Sequence, residues 1–207
     1  MELSELDLFP TPVLMVKNFL NKNEIDFAYN FLLTNKQWLN SHALISGNSF
    51  SSHTELGNIN ILNELANNIK QWNFQNEGVM NRLNTLLLYF SFKIRTKFHG
   101  IKTSWFNLQL EGSKLRNHSH YCNVVGSIYL KTDKDSSPLV IENPSRYHEF
   151  ADKLDRTTEE LRNSRYLSEY KFFPESGDLI LFPGYLFHGS GDFENKSKER
   201  LVISFNT

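Results

Sequence analysis

Hydrophobic and polar positions follow a helical rhythm in the first hundred residues and a strand rhythm in the second. In "NKNEIDFAYNFLLTN" (21–35), Ile25, Phe27, Ala28, Phe31 and Leu32 recur at helical spacing, with Asn23 the expected N-cap. "NINILNELANNIKQWNFQ" (58–75) and "VMNRLNTLLLYFSFKIRTKF" (79–98) predict two more helices, the second with a broad apolar face. Ahead of them, "LFPTPVLMVKNFL" (8–20) reads as a strand whose Pro10 and Pro12 suit an edge position. Residues 40–58, rich in Ser, Gly, His and Asn, read as an irregular segment.

After Gly100 the runs shorten. "KTSWFNLQL" (102–110), "VVGSIYLKT" (124–132), "SPLVIEN" (137–143), "YKFFPES" (170–176), "GDLILFPGYLFHG" (177–189) and "RLVISFN" (200–206) are β-type, separated by Gly, Pro, Asn and Asp. Helices followed by a block of short strands predict an α+β fold, and that many strands around one core predict a sandwich or barrel. "DKLDRTTEELRN" (152–163) interrupts the strands as a short helix or exposed insertion with a solvated, charged face.

Composition narrows the class. The 207 residues, 40% of them hydrophobic, suffice for one sizeable domain (1–207) and little more. A formal charge of -1 gives no footprint for nucleic acid or an anionic membrane. A single cysteine, Cys122, rules out a disulfide within the chain and fits a reducing compartment. "MELSELDLFPTP" carries acids where a signal peptide needs positive charge, and no stretch approaches the roughly 20 apolar residues of a membrane span. The expectation is a soluble cytoplasmic protein.

Chemistry concentrates in "NHSHYCN" (117–123). In an extended segment His118 and His120 point to the same side, which two ligands of one metal must do. The bland alternative is two solvated histidines in a turn. Further on, "GDLILFPGYLFHG" delivers His188 after a strand broken at Pro183 and Gly184. Arg200 opens the last strand twelve residues later, and an Arg there needs an anionic partner or solvent. A surface acid capping a strand-end Arg would satisfy it equally well.

Together these elements resemble the 2-oxoglutarate- and Fe(II)-dependent oxygenases, with their H-x-D/E, distal His and following Arg. "LFPTP", "SWFNLQLEGSKLRNHSHYCNVVGSIYL", "PLVIENP" and "ESGDLILFPGYLFHGSGDFENKSKERLVISFN" are similar to one prolyl-hydroxylase-like subgroup from marine bacteria and their phages. The resemblance implies a double-stranded β-helix core (101–207), jelly-roll or cupin-like, supported from outside by the strand and helices of 1–100. It implies an iron site of His118, His120 and His188. It implies a 2-oxoglutarate site in which Arg200 and Tyr129 hold the far carboxylate, with contributions from Asn107 and Ser204. The activity implied is hydroxylation of an unidentified small molecule or peptide side chain, with release of succinate and carbon dioxide, by a chain that could form a homodimer.

Two positions depart from the family pattern. His120 stands where a carboxylate is usual, so the site is one negative charge short. Were His120 not a ligand, Glu111 or Glu142 would be the acids to replace it. Val202 stands where a Ser usually follows the Arg, leaving Ser204 as the nearest hydroxyl. Two alternatives stay open: a three-His cupin-type dioxygenase that does not use 2-oxoglutarate, and a non-catalytic jelly-roll binding module. Other residues read as background: His42, His53, His99 and His148 as surface or turn histidines, Trp105 and Phe106 as core, Cys122 as a buried strand cysteine, Asp178 as turn chemistry. Segments 40–58 and 145–170 are the candidate substrate lids.

Overall fold

A computed structural model describes residues 11–53, 59–145 and 168–207. The first strand is shorter than its apolar run: β1 is Leu14–Val16, and Asn18, at φ 52°, turns the chain into the first helix. Helix α1 (Lys22–Thr34) is capped by Asn21 and not by Asn23. The reason is a reciprocal pair: Glu24 N–H donates to Asn21 Oδ1 at 3.1 Å, and Asn21 N–H donates to Glu24 Oε2 at 2.9 Å. Helices α2 (Ile61–Asn68) and α3 (Val79–Lys93) follow. The apolar run predicted to 98 stops at Lys93, and Arg95 takes a left-handed φ of 54° just beyond.

The segment expected to be irregular carries two strands, β2 (Ile45–Ser46) and β3 (Ser49–Ser51). Then come β4 (Thr103–Gln109), β5 (Lys114–Leu115), β6 (Val124–Lys131), β7 (Leu139–Glu142), β8 (Glu169–Phe172), β9 (Leu179–Pro183), β10 (His188–Gly189) and β11 (Arg200–Asn206). The expected insertion at 152–163 lies outside the described residues.

Two antiparallel sheets enclose the site. The main sheet has the order β1-β9-β6-β11-β4-β3 and the minor sheet the order β10-β7-β8, with β2 and β5 paired beside them. Crossovers of this kind between facing sheets build the double-stranded β-helix, the jelly-roll form of an α+β fold. The three helices cover the outer face of the main sheet. Leu32, Leu62, Trp72 and Leu83 pack there in one apolar core with Phe106, Ile128, Leu201 and Phe205.

Strand alternation does the rest. On β11 the odd residues Leu201, Ile203 and Phe205 face the helices, whereas Arg200, Val202 and Ser204 line a cavity between the sheets. On β4 Phe106 faces the helices, and Trp105, Asn107 and Gln109 face the cavity. No helix among the described residues is long and apolar enough to cross a membrane.

Candidate active site

His118 and His188 meet because their backbones pair. Each N–H donates to the other's carbonyl, at 3.0 and 2.9 Å, so the two residues stand directly opposite and their rings lie 4.4 Å apart. His120 follows two residues on, on the same side, and its N–H is anchored to the Gly184 carbonyl at 2.8 Å. Glycine at 184 permits this approach: a Cβ there would sit 2.2 Å from the Cys122 carbonyl oxygen. Ligand atoms of the three histidines lie within 4.8 Å of one another.

The ring orientations suit a metal. His118 Nδ1 lies 2.8 Å from the Arg116 carbonyl oxygen and His188 Nδ1 lies 2.9 Å from that of Leu186. A carbonyl only accepts, so both Nδ1 atoms carry the proton and both Nε2 lone pairs are left for a cation. Burial is the main influence that holds all three imidazoles neutral. His188 is lowered to about 3 and His120 to about 4, with neighbouring histidines adding to the effect, and His118 is lowered too. Neutral imidazole is the form a metal binds. Glu111 and Glu142 do not join this group; Glu142 accepts from Asn117 Nδ2 at 2.5 Å. Cys122 is half-buried, with its sulfur 3.4 Å from the Val124 carbonyl oxygen.

Arg200 lies at the other end of the cavity. It is 6% exposed, so solvent does not satisfy it, and its Nε has no hydrogen-bond partner. Its Nη1 donates to Gln109 Oε1, across the β4–β11 register, and its guanidinium sits 5.3 Å from the Tyr129 ring centroid. No acid pairs with it among the described residues. No described residue provides the surface acid that the alternative reading required, and the buried cation faces a cavity whose described lining holds no counter-charge. Such a group carries a large desolvation cost unless an anion arrives. Burial pulls the Arg200 guanidinium down and the Tyr129 phenol up from their ordinary values, while each partly offsets the shift of the other.

Asn107 and Ser204 lie between the two ends, Asn107 Nδ2 donating to Ser204 Oγ at 3.4 Å. Arg200 and Ser204 share a face as strand period requires, but four residues separate their backbones by about 13 Å. They reach different parts of the cavity. Val202 between them adds an apolar surface.

Several background readings need correction. Trp105 is buried, yet in the cavity wall and not in the core: it stacks on His120 at 5.9 Å between centroids with 26° between planes. His53 meets Trp105 edge-on at 4.8 Å, and His42 meets His53 at 5.2 Å. These two histidines belong to the cavity lining. Their distance in sequence from the H-x-H concealed them, because β3 joins the main sheet only through its pairing with β4. Gln109 was legible in principle, two residues beyond Asn107 on the same face. Asp178 is more than a turn residue: it is 1% exposed and accepts from Lys17 Nζ at 2.7 Å, Asn18 N–H and Glu175 N–H. His99 is exposed, as expected, and His148 lies outside the described residues.

The cavity has a volume of about 200 Å³. Its described lining holds three convergent imidazoles, one uncompensated guanidinium and no carboxylate.

Comparisons with known proteins agree with this geometry. Residues 103–206, half of the chain, match the family described as "Putative 2OG-Fe(II) oxygenase". No curated protein sequence matches the chain. Among solved structures, a Pseudomonas putida prolyl-4-hydroxylase is similar at 15% identity and TM-score 0.56, over 95% of this chain and 92% of that one. The viral collagen prolyl hydroxylase of Paramecium bursaria Chlorella virus-1, in complex with 2-oxoglutarate, is similar at 14% identity and TM-score 0.54, over 94% of each chain. HygX from Streptomyces hygroscopicus, with nickel, 2-oxoglutarate and hygromycin B bound, is similar at 14% identity and TM-score 0.51, over 94% of this chain and 82% of that one. At such identities the structures establish a shared fold, and the family match covers both the histidines and Arg200: the chain belongs to the 2-oxoglutarate–Fe(II) oxygenase family.

Proposed function

We propose that this protein is an Fe(II)- and 2-oxoglutarate-dependent dioxygenase that hydroxylates a small molecule or peptide side chain. The observation that carries the reading is the pairing of three convergent neutral imidazoles with a buried Arg200 that has no acidic partner among the described residues, across one cavity. Three nitrogen ligands leave coordination positions open, as a catalytic site needs and a closed structural site does not.

In this reading His118, His120 and His188 hold iron. The backbone carbonyls of Arg116 and Leu186 fix two of the rings through Nδ1. Arg200, oriented by Gln109 and backed by Tyr129, holds the far carboxylate of 2-oxoglutarate; the guanidinium gains the anion that its burial demands. Asn107 and Ser204 line the wall along which the co-substrate lies. When bound, iron and 2-oxoglutarate supply the oxidising chemistry, in which oxygen and 2-oxoglutarate are consumed and hydroxylated product, succinate and carbon dioxide are released. Trp105, Leu139 and Val202 limit water in the cavity.

A three-His dioxygenase independent of 2-oxoglutarate gives Arg200 no anion to bind, and a binding module gives no reason for open positions on the metal. We also read residues 1–207 as one oxygenase domain, since the helices before 100 and the strands after it share an apolar core.

Turnover of 2-oxoglutarate in the absence of a second substrate offers a test before the substrate is known. Succinate release is measured with Fe(II), oxygen and 2-oxoglutarate for the wild type, His118→Ala and Arg200→Ala. The expected result is succinate from the wild type, none from His118→Ala, and recovery in Arg200→Ala only at far higher 2-oxoglutarate. Equal dependence on 2-oxoglutarate in wild type and Arg200→Ala contradicts the reading.

A further inference from the structure

The three candidate metal ligands are not supported alike. His118 and His188 each hold Nδ1 against a backbone carbonyl, that of Arg116 at 2.8 Å and that of Leu186 at 2.9 Å. A hydrogen bond of that kind fixes both the tautomer and the orientation of the ring. His120 is supported by rings. It stacks on His188 at 5.2 Å between centroids with 18° between planes, and on Trp105 at 5.9 Å with 26°. Of these two stacking partners, Trp105 is the one that is not itself a candidate ligand.

The setting makes Trp105 a fixed surface. It lies in the middle of β4, where the register on β11 sets it opposite Ser204, and it is buried. Strand alternation directs its side chain into the cavity, on the face that also carries Asn107 and Gln109. The His120 backbone is pinned as well, by the bond from its N–H to the Gly184 carbonyl at 2.8 Å. What remains free is rotation of the imidazole about its side-chain torsions, and a flat wall against the ring restricts it. The chemistry of the wall adds to its shape. The face of an indole carries the negative part of its quadrupole. An imidazole that gives its lone pair to a cation becomes electron-poor, so its attraction to the indole grows when metal binds. Trp is the strongest of the aromatic side chains in this respect.

Resting on the dioxygenase reading, we propose that Trp105 is a positioning residue, which holds the His120 imidazole in the plane that presents its lone pair to the metal. Its effect on the metal runs through His120. The same contact makes Trp105 a reporter. Of the three tryptophans, Trp72 sits in the apolar core, Trp38 packs edge-on against Phe31, and Trp105 stacks on a ligand. A quenching metal at the site therefore dims the emission of Trp105.

The test is Co(II) binding to full-length metal-free protein, followed by visible absorption and by tryptophan emission. The wild type is compared with Trp105→Phe, Trp105→Leu and Trp105→Met, each checked for folding by circular dichroism. His120→Asp supplies a background whose ligand at that position has no ring to stack, and Trp105→Leu and Trp105→Met are measured in it too. Trp105→Leu and Trp105→Met are expected to bind Co(II) about ten-fold more weakly than the wild type. Trp105→Phe keeps a flat face and should stay within about three-fold. In the His120→Asp background, loss of the indole should change affinity by less than about two-fold. Wild-type emission should fall on metal binding by a component that Trp105→Phe lacks. Where Trp105→Leu does not fold, Trp105→Met, closer in volume to the indole, decides by the same outcomes. The proposal is overturned if the aliphatic variants bind as tightly as the wild type, if Trp105→Phe loses as much as they do, or if their loss recurs undiminished in His120→Asp. Failure of the wild type to bind Co(II) would instead bring down the dioxygenase reading on which this one rests.

Discussion

The two faces of the main sheet use the same strands for opposite ends. On the helix side, Phe106, Ile128, Ile203 and Phe205 are fully buried within one apolar core. On the cavity side, the adjacent residues Asn107, Tyr129 and Ser204 bring polar groups into a half-enclosed space. Arg200 is the extreme case, a buried cation held by the Gln109 amide oxygen and by Tyr129, with no acid beside it among the described residues. One face stores stability, and that surplus lets the other face hold groups which, without ligands, are poorly satisfied. Separating the two by mutation is the way to break the comparison.

The largest effect belongs to the helix face. Phe106→Ala should cost about 3–5 kcal/mol of folding stability by leaving a cavity among α2, β4 and their neighbours. Urea melts measure it, and 2-oxoglutarate affinity in the surviving folded protein should be unchanged. Arg200→Ala should behave in the opposite way. It should weaken 2-oxoglutarate binding by about 100-fold, close to 3 kcal/mol. The stability of the ligand-free protein should hold or rise, because an uncompensated buried charge is gone. A large loss of ligand-free stability in Arg200→Ala would erase the division between the faces.

The histidines sharpen it next. In the folded, metal-free protein His188 is lowered to about 3 and His120 to about 4, against 6.5 for a free imidazole. Below 6.5 the unfolded chain takes up protons that the folded chain refuses, so stability rises with pH across that window. It is fully present above about pH 6.5 and is lost as pH falls toward the folded values. Urea midpoints at pH 7.5 and 5 should reveal a loss of about 2 kcal/mol attributable to His188. His188→Gln should shrink that difference. The smallest effect is local: Asn21→Ala removes the α1 cap, should cost about 1 kcal/mol, and should leave metal and 2-oxoglutarate binding alone.

What the sequence allowed one to read follows the same physical line. Long periodic segments announced α1, α3 and the main strands β4, β6, β9 and β11, because burial of one face imposes a repeat. The cap at Asn21 was hidden by a neighbouring asparagine of equal intrinsic preference, and only the Glu24 side chain decides between Asn21 and Asn23. Strands β2, β3 and β5 are two or three residues long, too short to carry a period. The histidines of the H-x-H and His188 were legible through spacing and resemblance. Their encounter depends on a cross-sheet bridge that no local pattern encodes. His42, His53 and Trp105 reach the cavity through sheet pairing alone, so sequence assigned them to surface and core.

The central claim is that three imidazoles and a buried arginine hold iron and 2-oxoglutarate together. The most direct test is an anaerobic titration of metal-free protein with Fe(II) and then 2-oxoglutarate, watching the visible charge-transfer band of the chelate. His120→Ala and Arg200→Ala are measured alongside. The account predicts a band in the wild type, its loss in His120→Ala, and its appearance in Arg200→Ala only at about 100-fold more 2-oxoglutarate. Iron binding with no band at any concentration of 2-oxoglutarate would contradict it.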